Sequence, residues 1–249
     1  MTTSPRSATR KTPADAAAIL RSLAIVEAER TRRAGDARLA ARVPPVKAFQ
    51  QARFEATHAD LLQSARYRDA ARFFLDELYG PEDFTRRDAQ FARIVPALVR
   101  LFPQGIVDTV ATLAELHALS EELDTAMALA LPADGLDADG YVAAWRAVGR
   151  RADRERQIAL VMDVGHALDR ITRAPMLVAS LKLMRGPARA AGLSELQSFL
   201  ERGLDTFRAM GGAGEFMQRI EARERTLLDR LFDAGVAQAT VAAGLPQGG

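Results

Sequence analysis

Apolar positions along this chain recur at intervals of three and four residues, and no stretch alternates convincingly with period two, so the pattern predicts helix after helix. The expected fold is all-α, a multi-helix bundle of about eight or nine helices with no significant β-sheet and no tandem repeat. A first helix is expected over about 13–34, with Ile19, Leu23 and Val26 as a stripe opposite Arg21 and Arg30. A second runs from about 46 to 63 and continues through Tyr67, Ala70, Ala71, Phe74 and Leu78 on one face. The next is marked by Phe91, Ile94, Val95, Leu98 and Phe102, and a long one over about 106–131 turns Val110, Leu113, Leu116, Leu123 and Met127 inward. Five more follow at about 138–149, 152–172, 175–185, 194–210 and 214–233.

Punctuation between these stripes sharpens the boundaries. Thr12-Pro13-Ala14-Asp15 offers a capping hydroxyl, a proline at the first helical position and a carboxylate near the positive end of the helix. Gly80-Pro81 is a stop, Thr85 with Asp88 reads as a cap, and Pro96 should kink or restart its helix. Ser194 with Gln197 has the spacing of a capping box, and Pro175 suits a helix start. Residues 36–45, basic and closed by Pro44-Pro45, read as a linker. The organisation expected is a basic helical arm and linker over 1–44, a helical domain over 45–234 and a frayed tail over 235–249.

Nine of the 15 aromatic residues lie between Phe49 and Phe102, which marks that stretch as the heart of the core. A chain of 249 residues has enough interior to fold without disulfides or metal. It has no cysteine, which excludes thiolate metal sites, disulfides and a cysteine nucleophile. Its start carries no apolar signal core and no run approaches the roughly 20 residues that span a bilayer. These features predict a cytoplasmic protein.

The net charge of +2 gives the chain no strong pull toward nucleic acid, although residues 1–42 hold nine basic against four acidic side chains. Arginine clusters such as Arg150, Arg151, Arg154 and Arg156 are interleaved with Asp153 and Glu155, the pattern of a solvated helix face. Nucleic acid is therefore not an expected partner. The first helix could dock on a protein partner, on a second copy of the chain, or peripherally on an anionic membrane, the alternative being that it packs on the body.

The segment FFLDELYGPEDF, the RD and RIVP elements after it, and the later LMRGPARAAGL and FLERG stretches resemble a family of uncharacterised helical proteins from proteobacteria, over about residues 65–232. The resemblance implies an all-helical fold and supplies no activity.

Candidate chemistry is confined to few places because there are only three histidines. Glu55 with His58 and Asp163 with His166 each set a carboxylate three residues before a histidine, on one helix face. Two such units, with carboxylates such as Glu115, Glu121 or Glu77 from other helices, would build the di-iron or di-manganese site of ferritin-like bundles. Against this, His58 falls between Phe54 and Leu61 on an apolar stripe, as a hydrogen-bonded core histidine does, and Asp163, His166 and Arg170 could form a surface ion pair. His166 or His117 could ligate haem iron, but neither lies in a diagnostic pattern. Asp137-Ala138-Asp139-Gly140 fails as a calcium loop because Gly135 and Arg146 stand where acids are needed. Gly211-Gly212-Ala213-Gly214 is read as a helix-to-helix turn, and no serine sits in a nucleophile elbow. The expected function is a non-enzymatic helical binding or regulatory protein, without cofactor, acting through protein–protein contacts. The alternative is the di-metal carboxylate protein using Glu55, His58, Asp163 and His166.

Overall fold

The computed structural model describes residues 15–78, 85–132, 136–190, 192 and 194–246, with side chains except at 77, 78, 85–90, 177 and 196. Among these residues it forms thirteen helices and no strand: α1 Ala16–Ala34, α2 Ala37–Thr57, α3 Ala59–Gln63, α4 Arg68–Leu78, α5 Thr85–Leu101, α6 Gln104–Ala130, α7 Ala138–Val148, α8 Arg151–Thr172, α9 Pro175–Leu183, α10 Arg185–Ala190, α11 Ser194–Ala209, α12 Gly214–Phe232 and α13 Gln238–Ala242. The number exceeds the expected eight or nine for two reasons. The segment read as one helix from 46 to 78 is divided into three, and the short α10 and α13 carry too few periodic positions to be seen.

α6 is the axis of the molecule. Its 27 residues span about 40 Å at the usual rise of about 1.5 Å per residue. Buried positions lie on every face, from Ile106 and Val107 to Met127 and Ala128, as expected of a helix surrounded by others. α1, α2, α7 and α8 all pack against it, and α8 in turn carries α9, α11 and α12. Gly165 on α8 lets α12 come close: a Cβ there would lie 2.2 Å from Met217 Cε.

Three local expectations are revised. Residues 36–45 are not a connection; α2 begins at Ala37, capped by the Asp36 carboxylate on the amides of Arg38 and Leu39, and continues through Pro44 and Pro45. Both prolines face solvent, while Leu39, Val43 and Val46 bury the opposite face, so packing outweighs the local cost of proline. α1 is packed on the body through Ile19, Leu23 and Val26, and its N-cap is Asp15, whose side chain accepts from the Ala18 amide; Thr12 and Pro13 lie outside the described residues. Of the tail expected to fray, Gln238–Ala242 form α13, packed on α7, and Val241, Ala242 and Leu245 are buried.

Smaller details follow the same logic. α5 continues through Pro96 as helix, and the side chains of Thr85 and Asp88 lie outside those described. Gln197 does not serve a capping box; it donates to the Leu181 carbonyl of α9 at 2.7 Å. Gly211 and Gly212 make the turn before α12 with φ of 66° and 124°, conformations that favour glycine. The Ala213 amide at that turn donates to Asp169 Oδ1 at 3.0 Å, so an internal carboxylate already uses the position where an external anion would bind.

The core is two apolar clusters rather than one. The larger joins Phe74, Phe207 and Phe216 with residues of α1, α4, α5, α6, α8 and α11. The smaller gathers Phe49, Tyr141 and Trp145 with Leu39, Val43, Met127, Leu231 and Val241, from α2, α6, α7, α12 and α13. The aromatic stretch 49–102 therefore supplies both clusters.

Candidate functional site

Between the two clusters runs a layer of buried polar side chains. On α2 the stripe Leu39, Val43, Val46, Phe49 gives way to Gln50 and Arg53 before Phe54 resumes it. On α6 Glu121, Asp124 and Thr125 separate Leu116 from Met127, and on α12 Glu224 replaces an apolar residue in the four-residue steps from Phe216 and Ile220 to Leu228. Buried charge is costly unless paired, and here the pairs are made between helices remote in sequence.

One group centres on Glu121. Arg33 of α1 bonds its carboxylate and also donates to the Glu121 carbonyl at 2.6 Å and to Thr125 Oγ1 at 2.9 Å from Nε. Lys47 of α2 lies 2.5 Å from the same carboxylate and 3.8 Å from Asp124. Burial opposes ionisation of Glu121, but Lys47 and Arg33 overcome it and hold the group down to about 2. For Asp124 burial wins: with Glu121 adding to it and Lys47 opposing, the carboxyl is pushed above its ordinary range.

The second group centres on Glu224, whose Oε1 lies 2.5 Å from Arg53 Nη1 and 2.9 Å from His58 Nε2. A carboxylate only accepts, so Nε2 of His58 carries the hydrogen in this bond. Burial again opposes the charge on Glu224, and Arg53 and His58 again overcome it, to about 2. His58 is fully buried, its ring centroid 4.4 Å from that of Phe54 with the two rings tilted, and it marks the break between α2 and α3.

Beside Glu224 the layer opens into a cavity of about 30 Å³ lined by Gln50, Arg53, Tyr141, Trp145, Arg154 and Gln157, with leucines of α12 and Ile158 as apolar wall. By the usual measure that is room for one or two waters. The Arg154 guanidinium lies 4.0 Å over the Trp145 ring and donates to Gln157 Oε1 at 3.1 Å. Among the described residues, nothing accepts from the buried Trp145 Nε1 or Gln50 Nε2.

The candidate metal residues differ in their surroundings. His58 is buried with Glu224, whereas Glu55, Asp163 and His166 are exposed. Glu115 pairs with Arg156 at 2.6 Å, Glu121 serves Arg33 and Lys47, and Glu77 lies outside the described side chains. His117 is half-buried on α6. Among the described residues no group of three or more His, Asp or Glu side chains is disposed to hold a metal ion. His58 is thus the core histidine that its apolar neighbours predict.

The layer itself escaped sequence reasoning, although each element carried a signal: a charged residue standing on an apolar stripe, Arg53 beside Phe54 and Glu224 between Ile220 and Leu228. Part of the basic surplus of the N-terminal segment is also internal. Arg42 donates to the carbonyls of Ala128, Leu131 and Pro132 and closes the C-terminal end of α6, as Arg146 does for α12.

The described surface also carries an exposed apolar strip. On α9, Val178 and Leu181 face the core while Met176 and Leu183 are 86% and 80% exposed, with Ala179 exposed between them. No described helix is long and apolar enough to cross a membrane.

Comparison with characterised proteins and with solved structures gives no match. A model of a protein family described as a domain of unknown function, DUF8198, matches residues 29–238, from the end of α1 to the start of α13 and across the whole polar layer, and the chain belongs to that family.

Proposed function

We propose that this chain is a non-enzymatic binding protein that works through protein–protein contact, with the outer face of α9 as its docking surface. The observation that carries this reading is the exposure of Met176 and Leu183, seven residues apart on one side of a nine-residue helix. Residues at such spacing project in nearly the same direction, and with Ala179 between them they form a continuous apolar strip. Helix recognition by a partner groove uses anchors of this spacing. Isolated exposed apolar residues are common, but two large ones in line on a helix whose other face is already packed form a strip that the described residues leave uncovered.

A photoreactive amino acid in place of Ala179 tests it. Irradiation in the producing cell should trap a defined adduct, and Met176→Asp with Leu183→Asp should abolish the adduct while shifting Tm by no more than about 2 °C, since neither side chain is buried. Mass of the adduct separates a second copy of the chain from a different protein. Absence of any adduct, or an adduct indifferent to the two aspartates, would refute the reading.

A further inference from the structure

The apolar strip on α9 lies in a basic part of the described surface. From Arg170 to Ser194 the sequence has five Arg or Lys and no Asp or Glu. Over residues 169–210, which hold the end of α8 and all of α9, α10 and α11, seven cations stand against four acids, a surplus of three. Those three neighbours are the helices packed on α9. Their carboxylates answer part of the charge: Asp169 pairs with Arg173 at 2.7 Å, and both oxygens of Glu201 bond Arg185, at 2.6 and 2.7 Å. Asp205 also acts on Arg185, and Lys182 acts on Glu201 from longer range. Lys182 and Arg189 are exposed, and among the described residues no carboxylate pairs directly with either.

The position of these cations narrows what can cover the strip. Lys182 is three residues from Ala179 and next to Leu183, so it borders the strip on the helix surface, and Arg189 stands on α10, which follows α9 and packs on it. Apolar anchors with a cationic rim are complemented by an apolar surface with an anionic one. A second copy would set one basic face against another, and like charges brought together count against that pairing. A bilayer would take up only two large side chains from a nine-residue helix, little of the buried apolar area on which interfacial binding depends. We propose that the partner of α9 is an acidic protein surface, an apolar groove rimmed by Asp or Glu that takes Met176 and Leu183 and faces Lys182 and Arg189. This deepens the reading of α9 as the docking surface and rests on it.

The test uses the full chain with a photoreactive amino acid in place of Ala179, irradiated in an extract of the producing cell at low and at high salt. Lys182→Glu with Arg189→Glu reverses the rim and leaves the strip intact, and both positions are exposed, so the fold is retained. The charge-reversed chain should form the adduct about ten-fold more slowly than the wild type at about 50 mM NaCl, and only about two-fold more slowly at about 500 mM, where the Debye length is roughly 4 Å. Lys182→Arg with Arg189→Lys should keep the wild-type rate. Mass spectrometry of the joined peptide should show a segment with more Asp and Glu than Lys and Arg. An adduct that forms equally fast in the charge-reversed chain, or a joined segment that is neutral or basic, would overturn the acidic partner and leave α9 standing as a docking surface. Joining to a second copy of the chain or to lipid would overturn it as well. No adduct at all would refute the docking surface itself.

Discussion

Glu224→Gln is the sharpest test of the polar layer, because it removes one charge and keeps the shape of the side chain. Glu224 and Arg53 are 8% and 6% exposed, so solvent screens their 2.5 Å contact poorly. With glutamine at this position the Arg53 guanidinium stays buried and loses its carboxylate at Glu224. Breaking a buried pair by removing one member costs about 3–5 kcal/mol. The carboxylate's own titration leads to a similar figure: a group held from 4.5 down to about 2 contributes about 3 kcal/mol, at about 1.4 kcal/mol per unit. The folded-state value lies below the unfolded one, so this stability is complete above about pH 5 and is lost as pH falls from 4.5 toward 2. The assay is urea denaturation followed by far-ultraviolet circular dichroism and by the fluorescence of Trp145. The variant should be about 3 kcal/mol less stable than the wild type at pH 7, and the gap should fall by roughly half at pH 3, where part of the wild type's Glu224 contribution is gone. Asp60 and Glu121, also held low by cationic partners, weaken both proteins alike over that range and cancel in the difference. A gap below about 0.5 kcal/mol at pH 7, or one that persists unchanged at pH 3, would refute the assignment of Glu224 as an ionised, internally paired carboxylate.

Two further substitutions test the fold. Pro44→Ala with Pro45→Ala should stabilise the chain by about 1–2 kcal/mol in urea unfolding, since both positions face solvent and alanine restores the amide donors of a continuous helix, less the entropy that proline removes from the unfolded chain; a loss of stability would mean that α2 does not run through this point. Gly165→Val should destabilise by about 1–3 kcal/mol because its side chain would enter the space held by Met217, and Met217→Ala in the same chain should recover part of that loss; strictly additive effects in the thermal or urea melt would show that α8 and α12 do not meet there.

Much of the helical framework was legible in the residues. The stripes Val110, Leu116, Leu123, Met127 and Val95, Leu98, Phe102 are buried as their spacing requires, and α6, α7, α8, α9, α11 and α12 lie within a few residues of the expected bounds. The misreadings share a cause. Pro44-Pro45 and the tail beyond 235 were judged on local preference, and in both places burial of Val43, Val46, Val241 and Leu245 against distant helices overrode it. Short helices such as α3, α10 and α13 span less than two turns and leave no period to detect.

The candidate site divides along the same line. That His58 belongs to the core could be read from Phe54 and Leu61 around it, because helical periodicity alone decides which face a residue occupies. Which carboxylate it meets could not: Glu55 shares its local spacing, yet Glu224, 166 positions away, accepts the hydrogen bond. The same is true of Arg33 with Glu121 and of the convergence of Gln50, Trp145 and Arg154 on one cavity. Sequence by itself determined the longer helices and their buried faces, since both follow from interactions among residues three and four apart. The partners of buried charges were decided only by the tertiary structure, because a guanidinium or carboxylate taken out of water is satisfied by whatever the packed helices bring within about 3 Å, and that proximity is a property of the whole fold.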